Sequence, residues 1–128
     1  MDIYRENILD HYRNPRNFGL RDDCTVREEG VNTLCGDRVI VQINVVGGMV
    51  EDMRFEGEGC AISLAAASLL SEYIKGQLVD TVKGMSVKDV EGWLGVEVPL
   101  MRMKCAGLAL ETAQLALNCY EELKAEAK

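Results

Sequence analysis

Aromatic residues are scarce in this chain: two Phe, one Trp and four Tyr make up 5% of its 128 residues. Hydrophobic residues nonetheless reach 48%, so the core must be aliphatic and rich in small side chains. Basic charge is short as well. Fourteen Lys and Arg stand against 21 Asp and Glu, a net charge of −7 at pH 7, and no local basic cluster relieves it. Such a surface repels phosphate backbones, so no nucleic-acid partner is expected, and partners with basic docking faces are favoured. No apolar run approaches the ~18 residues that a membrane span needs. The opening Met1-Asp2-Ile3-Tyr4-Arg5 also lacks the basic-then-apolar order of a secretory signal. A cytoplasmic location without a membrane partner is the expectation. Linkers, repeats and low-complexity stretches are missing too, and the length fits one domain over residues 1–128.

What is present reads as a short series of elements. Ile3, Tyr4, Ile8, Leu9 and Tyr12 have nearly helical spacing, and Asn14-Pro15 stops that helix because the residue before Pro is driven out of the helical region. Residues 21–29 are polar, with a short strand expected at Cys24–Arg27. Val39, Val41, Ile43 and Val45 then alternate with Arg38, Gln42 and Asn44, and Gly47-Gly48 signals a two-residue hairpin into a partner strand from about Val50 to Glu56. Gly57 and Gly59 are expected to break that strand. A helix is expected over 61–75 with Gly76 as its C-cap, followed by two short helical pieces near Leu78–Val82 and Val87–Trp93, the second capped by Ser86. After a loop at Pro99 the pattern Ala106, Leu110, Ala113, Leu117, Tyr120 predicts a long helix over about 105–126. The order predicts an α+β fold: a small antiparallel sheet of about three strands with helices on one face.

Five cysteines form an odd set, and in a cytosolic chain of this size metal or sulfur chemistry is favoured over a disulfide framework. Three of them lie close to glycine: Cys35-Gly36-Asp37, Gly59-Cys60 and Cys105-Ala106-Gly107. Asp37 is two residues from Cys35, so one loop can present a thiolate and a carboxylate to one point. Cys60 and Cys105 arrive from distant segments at expected helix N-termini, where free backbone N–H groups favour thiolate. Gly36 and Gly59 let the backbone approach closely. Three thiolates and an oxygen make a four-ligand set for a soft centre, zinc or iron–sulfur, with the carboxylate its hardest and most exchangeable member. Lys104, just before Cys105, lowers the thiol pKa, pairs with Asp37 in an empty site, or points to solvent; the last is expected. His11, the one histidine, is expected to pack or hydrogen-bond rather than ligate. Cys119 reads as core filler beside Leu108, Thr112 and Leu115, and Cys24 as a strand-edge residue. Leu100, Met101 and Met103 in the apolar loop Val98–Met103 read as an exposed docking patch.

These motifs together resemble the IscU/NifU-type iron–sulfur cluster scaffold family, which includes the SufU-like proteins. Tyr4…Ile8-Leu9-Asp10-His11-Tyr12-Arg13-Asn14-Pro15-Arg16-Asn17 is similar to the family's N-terminal signature. Asn32-Thr33-Leu34-Cys35-Gly36-Asp37 resembles its Asn-x-x-Cys-Gly-Asp motif, Gly59-Cys60-Ala61-Ile62-Ser63 its Gly-Cys-x-x-Ser motif, and Met103-Lys104-Cys105 stands where its third cysteine lies. The resemblance implies a scaffold rather than an enzyme. Such a scaffold takes sulfur as a persulfide from a PLP-dependent cysteine desulfurase and electrons from a donor such as ferredoxin. It builds a 2Fe-2S cluster and passes it to apo-proteins. It implies Cys35, Asp37, Cys60 and Cys105 as ligands of the transient cluster, or of Zn2+ or Fe2+ in the cluster-free form. Cys105 is then the persulfide acceptor and Asp37 the residue associated with cluster lability. A homodimer around a cluster stays open.

The chain mixes two branches of that family. Lys104 stands where IscU proteins usually carry His, as in SufU-like proteins. The short Cys60–Cys105 gap is IscU-like, without the usual SufU insertion. The chaperone motif of IscU, Leu-Pro-Pro-x-Lys, is degraded to Val98-Pro99-Leu100-Met101-Arg102, Thr33 replaces the usual Pro, and no further NifU domains are expected. The alternative function is a zinc-dependent, SufU-like sulfurtransferase that activates a desulfurase. A purely structural zinc domain is disfavoured by ligands at loop ends around a self-sufficient core.

Overall fold

The alternating aliphatics at 39, 41, 43 and 45 form the middle of a three-stranded antiparallel sheet, ordered β1 (Val26–Asn32), β2 (Asp37–Val46), β3 (Met49–Glu58). The computed structural model describes residues 3–126, and side chains from Arg5 onward. Val41 faces Phe55 and Ile43 faces Met53 across the β2–β3 pair, and all four are fully buried. Gly47 (φ 59°) and Gly48 (φ 76°) both take the left-handed conformation that a two-residue turn requires of right-twisted strands.

Two strand expectations need correction. The short strand at Cys24–Arg27 is instead seven residues, Val26–Asn32, paired along its whole length with β2, from Val26 opposite Ile43 to Asn32 opposite Asp37. Its inward positions are Val26, Glu28, Gly30 and Asn32, so apolar alternation is lost although the strand is regular. β3 in turn continues through Gly57 rather than ending before it. Glycine is required there by packing: a Cβ on Gly57 would lie 2.5 Å from the Arg38 carbonyl oxygen.

Helix α2 (Ala61–Tyr73) packs on β3, and α5 (Met103–Glu126) crosses β1 and β2. Their buried faces are small and aliphatic: Ala65, Ala66, Leu69 and Leu70 of α2, and Ala106, Leu110, Ala113 and Leu117 of α5, are all buried. Small side chains let the two backbones approach, which is how a core with few aromatics reaches normal density. α1 (Ile3–Arg13) lies on α2 through Ile8 and through His11, whose Nδ1 is 2.7 Å from Ser68 Oγ. The side chains of Ile3 and Tyr4, expected on its apolar stripe, lie outside the described residues. α3 (Val79–Lys83) and α4 (Val87–Leu94) complete the helical layer. The Ser86 N–H at the start of α4 donates to Asp89 Oδ2 at 2.8 Å. α2 ends at Tyr73, and Gly76 (φ 85°) follows as a turn residue whose N–H binds the Val50 carbonyl at 2.7 Å.

The middle of the other sheet face is crossed by residues 17–25. This strap joins the edge of β3 through Gly19 N–H to the Phe55 carbonyl (2.8 Å) and Phe55 N–H to the Asn17 carbonyl (3.1 Å). It then crosses the outward side chains. Gln42 exchanges hydrogen bonds with the backbone N–H and carbonyl of Arg21, both 2.8 Å, and Asn44 accepts the Thr25 N–H at 2.9 Å. Gln42 is therefore buried despite facing away from the helices. The architecture is α+β, with helices on one face and a polar-bonded strap on the other. Among the described residues no helix is long and apolar enough to cross a membrane.

Candidate functional site

The β1–β2 pair ends at Asn32 and Asp37, which face each other in register, and a four-residue turn joins them. Gly36 (φ 72°) allows that turn, and Cys35 projects from it exposed to solvent. Two helix beginnings meet this strand end. Cys60 is the N-cap residue of α2, and Cys105 lies in the first turn of α5, after a 3-10 turn over Leu100–Arg102. Ligand atoms of Cys35, Asp37 and Cys105 all fall within 4.8 Å of one another. Cys60 is outside that group, with its Sγ 3.8 Å from Ser63 Oγ.

Asp37 is the hub. It is fully buried, although it is the hardest and most exchangeable donor of the set. Burial is affordable because its oxygens are bonded. Oδ1 accepts the Cys60 N–H at 3.1 Å and the Ser63 hydroxyl at 3.2 Å, and Oδ2 accepts the Asn32 side-chain amide at 3.4 Å. The carboxylate thus caps α2 from another element, where its charge also suits the helix N-terminus. Gly59 makes room for it: a Cβ there would lie 2.5 Å from Asp37 Oδ1 and overlap Ser63 Oγ.

Cys105 departs from expectation. Its place at a helix N-terminus favours thiolate, yet its thiol is pushed well above the ordinary range. Burial is the main cause, followed by hydrogen bonding with Asp37 and Cys35 and by the negative charges of Cys60 and Asp37. A cation would reverse this balance, because a coordinating thiol is deprotonated outright. The donors fit a soft metal: two thiols and a carboxylate already converge, with a third thiol beside them.

Lys104 is exposed, and among the described residues no ion pair joins it to Asp37. The cation that senses the site is Arg102, whose pKa is raised first by its interaction with the Cys105 sulfur and then by the negative charges of Cys60, Cys105 and Cys35. Sequence reasoning missed Arg102 as well as the partners Asn32 and Ser63, although the last two stood inside the motifs. The remaining titratable candidates are elsewhere. His11 is buried between α1 and α2, with its pKa lowered chiefly by burial. Cys24 precedes β1, and Cys119 lies half-buried with its Sγ 3.8 Å from Glu28 Oε2. Leu34, Leu100 and Met101 are 81%, 89% and 88% exposed, while Met103, expected with them, packs half-buried against the core.

Comparison with known proteins places this geometry in a family. The NifU-like N-terminal domain matches residues 3–127. The chain belongs to that family. The zinc-dependent sulfurtransferase SufU of Bacillus subtilis is 39% identical over 124 residues, 84% of this chain and 84% of that protein. The iron–sulfur cluster assembly scaffold protein IscU of Escherichia coli K12 is 35% identical over 132 residues, covering 98% of each. A crystal structure from Fervidobacterium islandicum AW-1, described as a cluster assembly scaffold for the SUF system, superposes with a TM-score of 0.73 at 27% identity, over 88% of this chain and 94% of the other. The N-terminal part of a NifU-like protein from Brucella abortus has the same fold, with a TM-score of 0.76 at 19% identity over 94% and 95% of the two chains. The family thus contains both scaffolds and a sulfurtransferase, and the α+β expectation agrees with its solved folds.

Proposed function

We propose that this NifU-like domain is an assembly scaffold for 2Fe-2S clusters, which it builds with sulfur from a cysteine desulfurase and hands on to apo-proteins. The carrying observation is the convergence of Cys35, Asp37 and Cys105 within 4.8 Å at one end of the fold. Cys60, at the α2 N-cap, completes the set as the fourth donor. The cluster is cargo, and the ligand set suits cargo: three thiolates hold it, and one carboxylate oxygen with competing hydrogen bonds gives way.

Burial orders the sulfur chemistry. Cys105 is fully buried and Cys35 is exposed, so an incoming persulfide meets Cys35 first and Cys105 second. The Cys35 thiolate attacks the outer sulfur of the donor persulfide. The donor S–S bond breaks, the donor cysteine leaves as thiolate, and a new S–S bond forms on Cys35 without net electron change. The same exchange carries the sulfur inward to Cys105. Exposed Leu34, Leu100 and Met101 offer the delivering protein an apolar footing beside the thiols.

Zinc-dependent sulfur transfer is the second reading. It is favoured by the likeness to the Bacillus subtilis SufU and by the exposed thiol at Cys35. Anaerobic reconstitution with ferrous iron, cysteine and a cysteine desulfurase separates the two. Equal iron and sulfide, with a visible spectrum that decays on adding apo-ferredoxin, is the scaffold result. Tightly held zinc, no chromophore and a faster desulfurase would replace it with sulfur transfer.

A further inference from the structure

We propose that Asn32 is a positioning residue whose side-chain amide ties the Asp37 carboxylate to the Cys105 sulfur and tunes that sulfur as a metal donor. The inference rests on the metal-site reading above and goes beyond it, because Asn32 carries no ligand atom of the set. Asn32 is 8% exposed and ends β1, directly opposite Asp37. Its Nδ2 donates to Asp37 Oδ2 at 3.4 Å and to Cys105 Sγ at 3.6 Å, one hydrogen being available for each. Since Asp37 Oδ1 is occupied by the Cys60 N–H and the Ser63 hydroxyl, Oδ2 is the oxygen left to face a metal, and the Asn32 amide sets where it stands.

Two consequences follow from ordinary metal chemistry. Partners of metal ligands hold their orientation, and losing one typically lowers metal affinity by roughly 10–100-fold. An N–H donated to a thiolate sulfur also stabilises its lone pairs, and hydrogen bonds to sulfur are a recognised means of tuning such centres. Removing the amide therefore shifts a sulfur-to-metal charge-transfer band to lower energy. A residue that merely closes the β1–β2 turn has no such optical effect.

The test uses the full chain, stripped of metal under anaerobic conditions and titrated with Co2+, comparing wild type, Asn32→Leu and Asn32→Asp. Asn32→Leu keeps bulk and removes the donor. Asn32→Asp keeps the shape, replaces the amide by an acceptor, and is the readout should the leucine variant not fold. The expected result is a charge-transfer band at lower energy and Co2+ affinity reduced about 10–100-fold in the leucine variant; the aspartate variant shows the same lower-energy band, while its added negative charge attracts the cation and offsets part of the affinity loss. An unshifted band with unchanged affinity overturns the proposal, and so does a fall in Tm with the band in place. A wild-type protein without any thiolate–cobalt band overturns the metal-site reading itself and this inference with it.

Discussion

Substituting Gly30 by alanine tests how the site is held together. Gly30 sits in β1 opposite Val39, two residues before Asn32 and on the same inward face. A Cβ at this position would overlap Thr112 Oγ1 and lie 3.2 Å from both Thr112 Cβ and Leu108 Cδ1 on α5. Thr112 is 1% exposed, and its hydroxyl already bonds the Leu108 carbonyl at 2.8 Å, so it has little freedom to rotate away. Forcing a methyl into a filled core costs about 1–3 kcal/mol. For a chain of this length, between the domain sizes for which the conversion is tabulated, that is a fall in Tm of roughly 3–15 °C. Thr112→Ala removes the overlapping hydroxyl but leaves the tight Cβ contact, so it should restore part of the loss. Urea unfolding of wild type, both single variants and the double variant gives a cycle with an expected favourable coupling of about 1 kcal/mol. Because Cys105 lies two turns before Thr112 on α5, the alanine variant should also release Co2+ faster. An unchanged urea midpoint for Gly30→Ala, or strictly additive singles, would refute the β1–α5 contact as the fixed point of the site.

Two further outcomes follow from the site and from the α1–α2 contact. His11 is the only histidine, and burial lowers its pKa in the folded state below the unfolded value of about 6.5. The unfolded chain therefore binds the proton first. Stability should be full above pH ~6.5 and fall as pH drops toward the lowered native value, with a slope of at most one proton, about 1.4 kcal/mol per pH unit. Urea midpoints at mildly acidic and neutral pH should separate for wild type and converge for His11→Gln; equal separation in both would remove His11 as the cause. Asp37→Ala takes away the exchangeable oxygen donor. A reconstituted cluster should then pass to apo-ferredoxin severalfold more slowly and survive oxygen longer, read as decay of the visible spectrum, and decay at the wild-type rate would show that the carboxylate does not govern release.

The parts of the fold visible in the sequence are those whose chemistry is local. The β2–β3 hairpin is legible because Val39, Val41, Ile43 and Val45 alternate and two glycines supply the turn. β1 is obscure because three of its four inward positions are not apolar: Glu28 lies near Cys119, Gly30 yields its space to Thr112, and Asn32 serves the site. The strap over residues 17–25 has no hydrophobic period at all, since Gln42, Asn44 and Arg54 hold it by side-chain hydrogen bonds. The thiols and Asp37 are legible as types at a spacing. Their burial is not, because it depends on which helix N-terminus arrives. Arg102 is hidden for the same reason, since the 3-10 turn that precedes α5 is what brings its charge toward the thiols.

One consequence of that arrangement joins stability to release. Asp37 Oδ1 caps α2 through the Cys60 N–H while Asp37 Oδ2 accepts the Asn32 amide, which also reaches the Cys105 sulfur. A cation drawn to Oδ2 pulls on the carboxylate, and any rotation toward it weakens the cap on the helix that carries Cys60. Binding and capping therefore draw on the same two oxygens. A fourth thiolate in place of Asp37 would end that competition by strengthening the centre and abandoning the cap, which suits an electron carrier that keeps its cluster and not a protein built to give one away.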